Sequence, residues 1–493
     1  MSVPLTTSDE RGLSHLGLDS RLRRTFIELP RGKLAQLCNQ VYALSQERGL
    51  LYYRDNSEEV INIMLCPRGI FPEQSSYFQY VTQTIVEALK QVPDLYLQRA
   101  DVRRILPLTE DEERWLRELW TPRHGQQHSV FGRMDAMADL TSASWRSALE
   151  FMEANLTGVG GVHLIPTAES VILDVIAPAI QEIAPDLVLE TLYDLRELFI
   201  QELRDQARLM GRRGGAIALI DTKFIMEGPN EQDALQAYYR ARNLPVFHAD
   251  PSELYLKGGE VLYDGTPIDV CYRDYELRDI IELGNSGVNV EPLKLLFKTN
   301  RMVSSMAGDF DHKSGFEILT DPNWAKYFTP DQQEVFQHHV LWTRLLRECM
   351  TTGPEGWPID LVEYTRRNRE RLVIKPNRAY GGVGVHIGHA MEQGEWEQAI
   401  QSALTDPNPG WVVQKMARIV TGEFPVVDDD GAVHMAPFYF VLGFAATKRG
   451  LSILGRASQR QVVNVAQRGG MCAVLVGRHE QAILAPLAPT ERT

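Results

Sequence analysis

The sequence predicts a mixed fold, α+β over most of its length with an α/β unit set inside it, behind a mainly helical N-terminal region. Three observations predict this. Residues 214–275 run strand, helix, strand, the order that favours a parallel sheet. Residues 30–120 repeat apolar side chains at three- and four-residue spacing, as amphipathic helices do. Short apolar runs at 371–375, 411–415 and 433–445 read as strands.

The bulk properties fit this picture. A chain of 493 residues is long enough for a large core and for roughly two to four domains. Its 44% hydrophobic and 24% charged content is that of a soluble globular protein. A net charge of -14 argues against non-specific nucleic-acid binding, which needs Lys and Arg to neutralise phosphates. No apolar run reads as long enough to span a bilayer, and MSVPLTTSDERGL lacks the basic and apolar parts of a secretory signal. Cys38, Cys66, Cys271, Cys349 and Cys472 are scattered, with no C-x-x-C. They suit reduced thiols in the cytoplasm rather than a disulfide framework or a zinc site.

The elements follow in order. Lys33 to Arg48 and Tyr77 to Gln91 carry the helical spacing, and Glu110 to Leu119 does so behind a Thr109 N-cap. SVFGRMDAM and SALEFMEANLTGVGGVHLIP read as strands ending in a glycine-rich loop, and 168–210 returns to helix. In the α/β unit, GGAIALID and LPVFHAD are strands either side of a helix from Asn230 to Arg242. GEVLYDG and TPIDVCYRDYEL form a hairpin closed by Asp-Gly. A further helix is expected near 331–349.

Two stretches carry chemistry. In LVIKPNRAYGGVGVHIG, residues 372–388, a lysine ends a strand just ahead of three glycines. A P-loop puts its lysine after the glycines, and a dinucleotide fingerprint spaces them differently and opens a helix. What remains is a glycine-rich hairpin whose bare backbone can close over phosphates, or an ordinary surface turn. The second stretch pairs Arg133 with Asp135 and Glu153 with Asn155, each two residues apart. On a strand such pairs share one face. Their oxygen atoms suit a hard cation such as Mg2+, and Arg133 beside it could hold a phosphoryl group. The same pairs also fit a solvated strand surface.

R-x-D, then E-x-N before a glycine-bearing loop, resembles the catalytic signature of the ATP-grasp ligases. It stands here before the nucleotide lysines, an order similar to that of circularly permuted ATP-grasp proteins, the group with glutathionylspermidine synthetase-like ligases. The resemblance covers residues 126–475. It implies ATP and Mg2+, with Asp135, Glu153 and Asn155 as metal ligands and Arg133 stabilising an acyl phosphate. FDHKSGFEILTD resembles the segment of the first nucleotide lysine, giving Lys313, with Lys298 in competition; Lys375 resembles the second. Gly381, Gly382 and Gly384 match the phosphate-covering loop. WVVQKMARI resembles the adenine-holding strand and hinge, with backbone groups at Lys415 and Met416 reading the base and Gln414 at the rim. Arg456 and Asn464 match residues near the nucleotide. The 17 residues between Asp135 and Glu153 exceed a tight hairpin, which leaves Asp139 as a stand-in for Asp135.

Beside a mainly helical region 1–125 of unread role, which the resemblance does not reach, three regions are expected: 126–210, a permuted segment with the metal site; 211–285, similar to a pre-ATP-grasp domain; and 286–493, the nucleotide lobes. Arg273, at a strand's carboxyl end, is a candidate contact for a substrate carboxylate, or a structural ion pair. His124 and His128 in HGQQH lack the glutamate of a zincin, and His338 and His339 read as helix positions. The implied activity joins a small-molecule carboxylate to an amine through an acyl phosphate, with no nucleic-acid or membrane partner. A small-molecule kinase or a non-catalytic nucleotide-binding protein are the alternatives.

Overall fold

The computed structural model describes residues 18–479 apart from 55–56, 142–143, 225–227, 230, 407–409, 419, 429 and 460–468. Asn464 lies outside the described residues. The fold is mixed α/β with several sheets, and three of them position the site.

The first is a six-stranded sheet ordered Val246–Ala249, Ala216–Ile220, Thr266–Arg273, Glu260–Tyr263, Tyr255–Lys257, with Met302–Val303 beside Thr266–Arg273. Its first three strands are parallel, as the strand-helix-strand reading predicts. Asp264 and Gly265 turn the expected hairpin with φ of 44° and 75°, the left-handed pair a two-residue hairpin needs.

The second sheet is antiparallel and joins distant parts of the chain. Its order is Gly470–Cys472, Gly450–Ser458, Val433–Thr447, Arg133–Met137, Glu150–Asn155, with Thr421–Val427 also on Val433–Thr447. The third sheet, also antiparallel, runs Thr343–Leu345, Trp411–Lys415, Leu372–Pro376, His386–Ile387. Strand alternation splits its residues. Leu372, Ile374 and Val413 point into a separate core around Trp396, under the helices Leu361–Arg367 and Gln393–Thr405. Val373, Lys375 and Gln414 face the other way, towards the second sheet.

Several expectations need correction. The helix near 331–349 is Pro330–His339 only; after it Thr343–Leu345 is a strand, because it pairs with the free edge of Trp411–Lys415. Within 168–210 the strand Leu187–Glu190 separates helices Leu164–Ile183 and Leu195–Leu209. The mainly helical N-terminal region also supplies Arg68–Ile70, which pairs with Val474–His479 in a three-stranded sheet. Leu164–Ile183 is, among the described residues, a helix long and apolar enough to cross a membrane, at mean hydropathy 1.3. Glu169 and Asp174 interrupt it, so no unbroken apolar run marks it in the sequence. Its most apolar 18-residue stretch is 67% buried in the fold, as in a core helix. The five cysteines are free thiols.

Candidate active site

The Arg133 and Glu150 strands pair so that Arg133 faces Asn155 and Asp135 faces Glu153. All four side chains line one polar chamber of about 380 Å3. The ladder then slips: Ala136 pairs with Phe151, which leaves Met152 as the extra residue of a β-bulge. The bulge has a use. The Met152 carbonyl accepts from Lys375 Nζ at 3.2 Å and from Gln414 Nε2 at 2.9 Å. It ties the second and third sheets together where a second, more apolar cleft of about 180 Å3 opens between them.

Asp135 is the hinge of the electrostatics. Arg133 Nε donates to its Oδ1 at 3.0 Å, and Arg456 Nη2 lies 2.7 Å from its Oδ2. Burial opposes the charge on Asp135, but the two guanidinium groups outweigh it and hold the carboxyl below the usual carboxylate range. Arg133 Nη1 also donates to the Gly160 carbonyl at 2.7 Å. Arg456 Nε and Asn155 Nδ2 are buried with no acceptor among the described residues. Gly443, on the neighbouring strand, leaves room for this group: a Cβ there would come within 2.4 Å of Arg133 Cδ and 2.8 Å of Asp135 Oδ1.

The lysines meet this group from the other side. Lys313 Nζ donates to the Ala379 carbonyl at 2.6 Å and lies 3.5 Å from Glu153 Oε2. Asn377 clamps the two lysine segments together, its carbonyl accepting from Lys313 N and its Oδ1 from Ser314 N. Burial pulls the Lys375 ammonium down to about 8; Glu153 opposes that shift and Lys313 adds to it. Gly381, Gly382 and Gly384 have φ of 73°, 73° and 71°. The first two line the cleft, while Gly384 packs on Pro376, where a Cβ would meet Cγ at 2.9 Å.

Of the remaining candidates, Lys298 is exposed at the end of Glu291–Lys298, so Lys313 is the lysine beside Glu153. The Asp139 carboxylate turns back to Thr141. Arg273 requires correction. It is fully buried, bound to Asp309 at 2.6 and 3.0 Å and to the carbonyls of Ser304, Ser305 and Tyr275. It is therefore the structural ion pair, not a substrate contact. Of the backbone groups expected to read a base, the Lys415 and Met416 amides donate to the Trp342 and Arg371 carbonyls, so neither amide is free. The side chains of both still line the cleft, as does Ala417, whose amide makes no bond among the described residues. Both ring nitrogens of His124 are engaged, with Thr121 and with the Phe297 carbonyl, which leaves none for a metal.

Sequence reasoning missed Met152, Gly443, Asn377 and Arg378. A glycine inside a strand, as in VLGFA, was the one available signal. Arg378 makes a two-point pair with the buried Glu112 of helix Glu110–Leu119, at 2.6 and 3.0 Å. Through it the N-terminal region holds the lysine-glycine loop from below.

Could these residues hold Mg2+? Among the described residues no group of three or more His, Cys, Asp or Glu side chains converges as a metal site. Asp135, Glu153 and the Asn155 amide nevertheless line one chamber as oxygen donors. Mg2+ needs only one or two carboxylates when phosphate oxygens and water fill its other positions. The donor set fits on that condition.

No protein-family model matches the sequence, and no curated protein does. Among solved structures, a glutathione synthetase-like effector from Globodera pallida, in its apo form, matches with a TM-score of 0.59. The match covers 91% of this chain and 98% of that one, at 10% sequence identity. The chain thus resembles a glutathione synthetase-like fold.

Proposed function

We propose that the protein is an ATP-dependent ligase of circularly permuted ATP-grasp type, joining a carboxylate to an amine and releasing ADP and phosphate. One observation carries this reading: the apolar cleft and the polar chamber share Asp135, Glu153, Gly381 and Arg456. A flat base in the cleft puts a nucleotide's phosphates beside Lys313, Lys375 and the glycines, and its terminal phosphate at that shared wall. The sheet that pairs Arg133–Met137 with Val433–Thr447 supports the permuted order, since early strands complete a late sheet.

In the proposed reaction a substrate carboxylate oxygen attacks the γ-phosphorus and ADP leaves. The amine nitrogen then attacks the acyl carbon, phosphate leaves, and the nitrogen gives up a proton. Phosphoryl transfer depends mostly on positioning and electrostatics. Lys313 and Lys375 would neutralise the phosphates. Arg133 and Arg456, held in place by Asp135, would face the transferring group. Asp135, Glu153 and Asn155 would hold Mg2+, which supplies charge neutralisation on the phosphate oxygens. The glycine loop would keep water from the acyl phosphate. The Ala417 amide, one residue beyond the expected pair, would read the base edge.

The test is ATP turnover with Mg2+ over a panel of carboxylates and amines, following ADP, AMP and phosphate. ADP and phosphate rising together only when both an acid and an amine are present supports the ligase. ADP without phosphate means a kinase. AMP release, or no nucleotide binding, overturns the assignment.

A further inference from the structure

Arg133 is held from two sides. Its Nε donates to Asp135, and its Nη1 donates to the Gly160 carbonyl at 2.7 Å. That carbonyl belongs to the same planar peptide group as the Gly161 N–H, and in a trans peptide the two point opposite ways. The Gly161 N–H donates to Glu231 Oε2 at 2.5 Å. One peptide group therefore links Glu231 on one side to Arg133 on the other, and turning it would break both bonds. Glu231 stands behind the chamber wall, whose lining includes Arg133, Gly160 and Gly161.

Glu231 does more than cap a helix. Helix Leu164–Ile183 has no side-chain cap of its own at His163. Glu231, at the start of helix Glu231–Arg240, supplies one: its Oε1 accepts from the His163 and Leu164 N–H groups at 2.7 and 2.9 Å. The Gly161 N–H lies ahead of the helix, so capping does not account for its bond. Burying this carboxylate, which is 5% exposed, is costly, and the three N–H donors offset that cost. The rest of the loop is fixed by other partners. Val159 N donates to the Tyr272 hydroxyl at 2.8 Å, and the Gly161 carbonyl accepts from Ile165 N at 3.0 Å. Between these points the Gly160–Gly161 peptide has a glycine on both sides, and Gly161 sits at a φ of 107°. Glycines leave such a peptide free to turn, so its direction depends on what its N–H and carbonyl bind.

We infer that Glu231 is a positioning residue: through the Gly160–Gly161 peptide it sets the direction in which Arg133 presents its guanidinium to the chamber. The task given to Arg133, facing a transferring phosphoryl group, rests on the ligase reading. The placement of Arg133 by Glu231 does not.

Glu231→Gln tests this. A glutamine has one acceptor oxygen where the carboxylate has two. With that oxygen on the His163 and Leu164 N–H groups, its NH2 faces the Gly161 N–H. The helix then keeps its cap and the peptide loses its hold. Ligation kcat should fall about ten- to 100-fold, as for a misplaced catalytic group, with the KM for ATP unchanged. In an Arg133→Ala background the same substitution should lower kcat no further, because effects that run through one group are not additive. A crystal structure of Glu231→Gln should show the Gly160 carbonyl turned away from Arg133. An effect on kcat that is as large without Arg133 as with it, as a general loss of structure gives, would overturn the inference. So would a Gly160 carbonyl still bound to Arg133 in the variant. If Glu231→Gln does not fold, Glu231→Asp, one methylene shorter and unable to reach all three donors, carries the same expectations. A wild-type protein that ligates no acid to any amine sinks the ligase reading, and the crystal structure then decides the placement of Arg133 by itself.

Discussion

The cleft beside Lys375 and the chamber beside Asp274 share one wall, yet their linings are opposite in kind. The cleft is lined by Val373, Val385, Ile387, Met137 and Met152, with two lysines at its inner end. The chamber holds two arginines and five carboxylates: Asp135, Glu153, Asp274, Glu276 and Asp279. A flat apolar ring with anions fits the first, and a polar organic cation or zwitterion fits the second. The strand alternation of one pair, Arg133–Met137 on Glu150–Asn155, serves both, and its bulge at Met152 anchors the cleft's lysine. The two sites are thus coupled by construction, and their shared residues stand where a group would pass between them.

Substitutions can break this division, beginning with the shared wall. Arg456→Ala should lower ligation turnover by about 100- to 1,000-fold, as loss of a preorganised charge at a transferring group does. Single-turnover kinetics, with a melting curve to check folding, reads this. If only nucleotide affinity falls and the chemical step is untouched, the two cavities do not meet at the reaction centre. Lys375→Ala comes next. It should weaken nucleotide binding about ten- to 100-fold, as loss of a charged hydrogen bond does. An unchanged nucleotide affinity would contradict the placing of phosphates at the cleft's lysine end.

The cleft should carry its own pH dependence. Lys375, at about 8 because of burial, is charged below that value and neutral above it. Phosphates favour its charged form. Nucleotide affinity should therefore fall as pH rises through about 8, by up to about ten-fold per unit, with proton uptake on binding. Calorimetry in two buffers of different ionisation enthalpy gives the slope and the proton count, and an affinity that does not fall through about pH 8 would count against a phosphate role for Lys375.

Much of the shared wall was legible in the sequence because it is local. R-x-D and E-x-N need only the two-residue period of a strand to land on one face, and the structure puts all four side chains in one chamber. The Asp-Gly hairpin was legible for the same reason. What stayed hidden depends on distant partners. Asp309 takes Arg273 out of play, and Glu112 lies 266 residues from Arg378. The Arg371 carbonyl occupies the Met416 amide. The end of the helix at His339 follows from a sheet edge, not from any breaker in VLWTRL. A bulge likewise leaves no mark in composition, so Met152 read as an ordinary strand residue.

The smallest effect separates the cleft's two functions. Ile387 pairs across from Val373 and lines the cleft among its apolar residues. It is half-buried, so Ile387→Ala removes a partly covered apolar surface worth about 1 kcal/mol, or a few-fold in affinity. If the cleft takes the base, that few-fold loss should appear equally for ATP and for adenosine, and be absent for inorganic triphosphate. Competition binding with the three ligands measures it. Equal losses for triphosphate and adenosine would mean that the substitution disturbs the lysine end, so that the apolar wall supports the phosphate site rather than holding a ring. A loss for adenosine alone, with ATP unchanged, would mean that the phosphates set the position of ATP and the base does not enter the cleft.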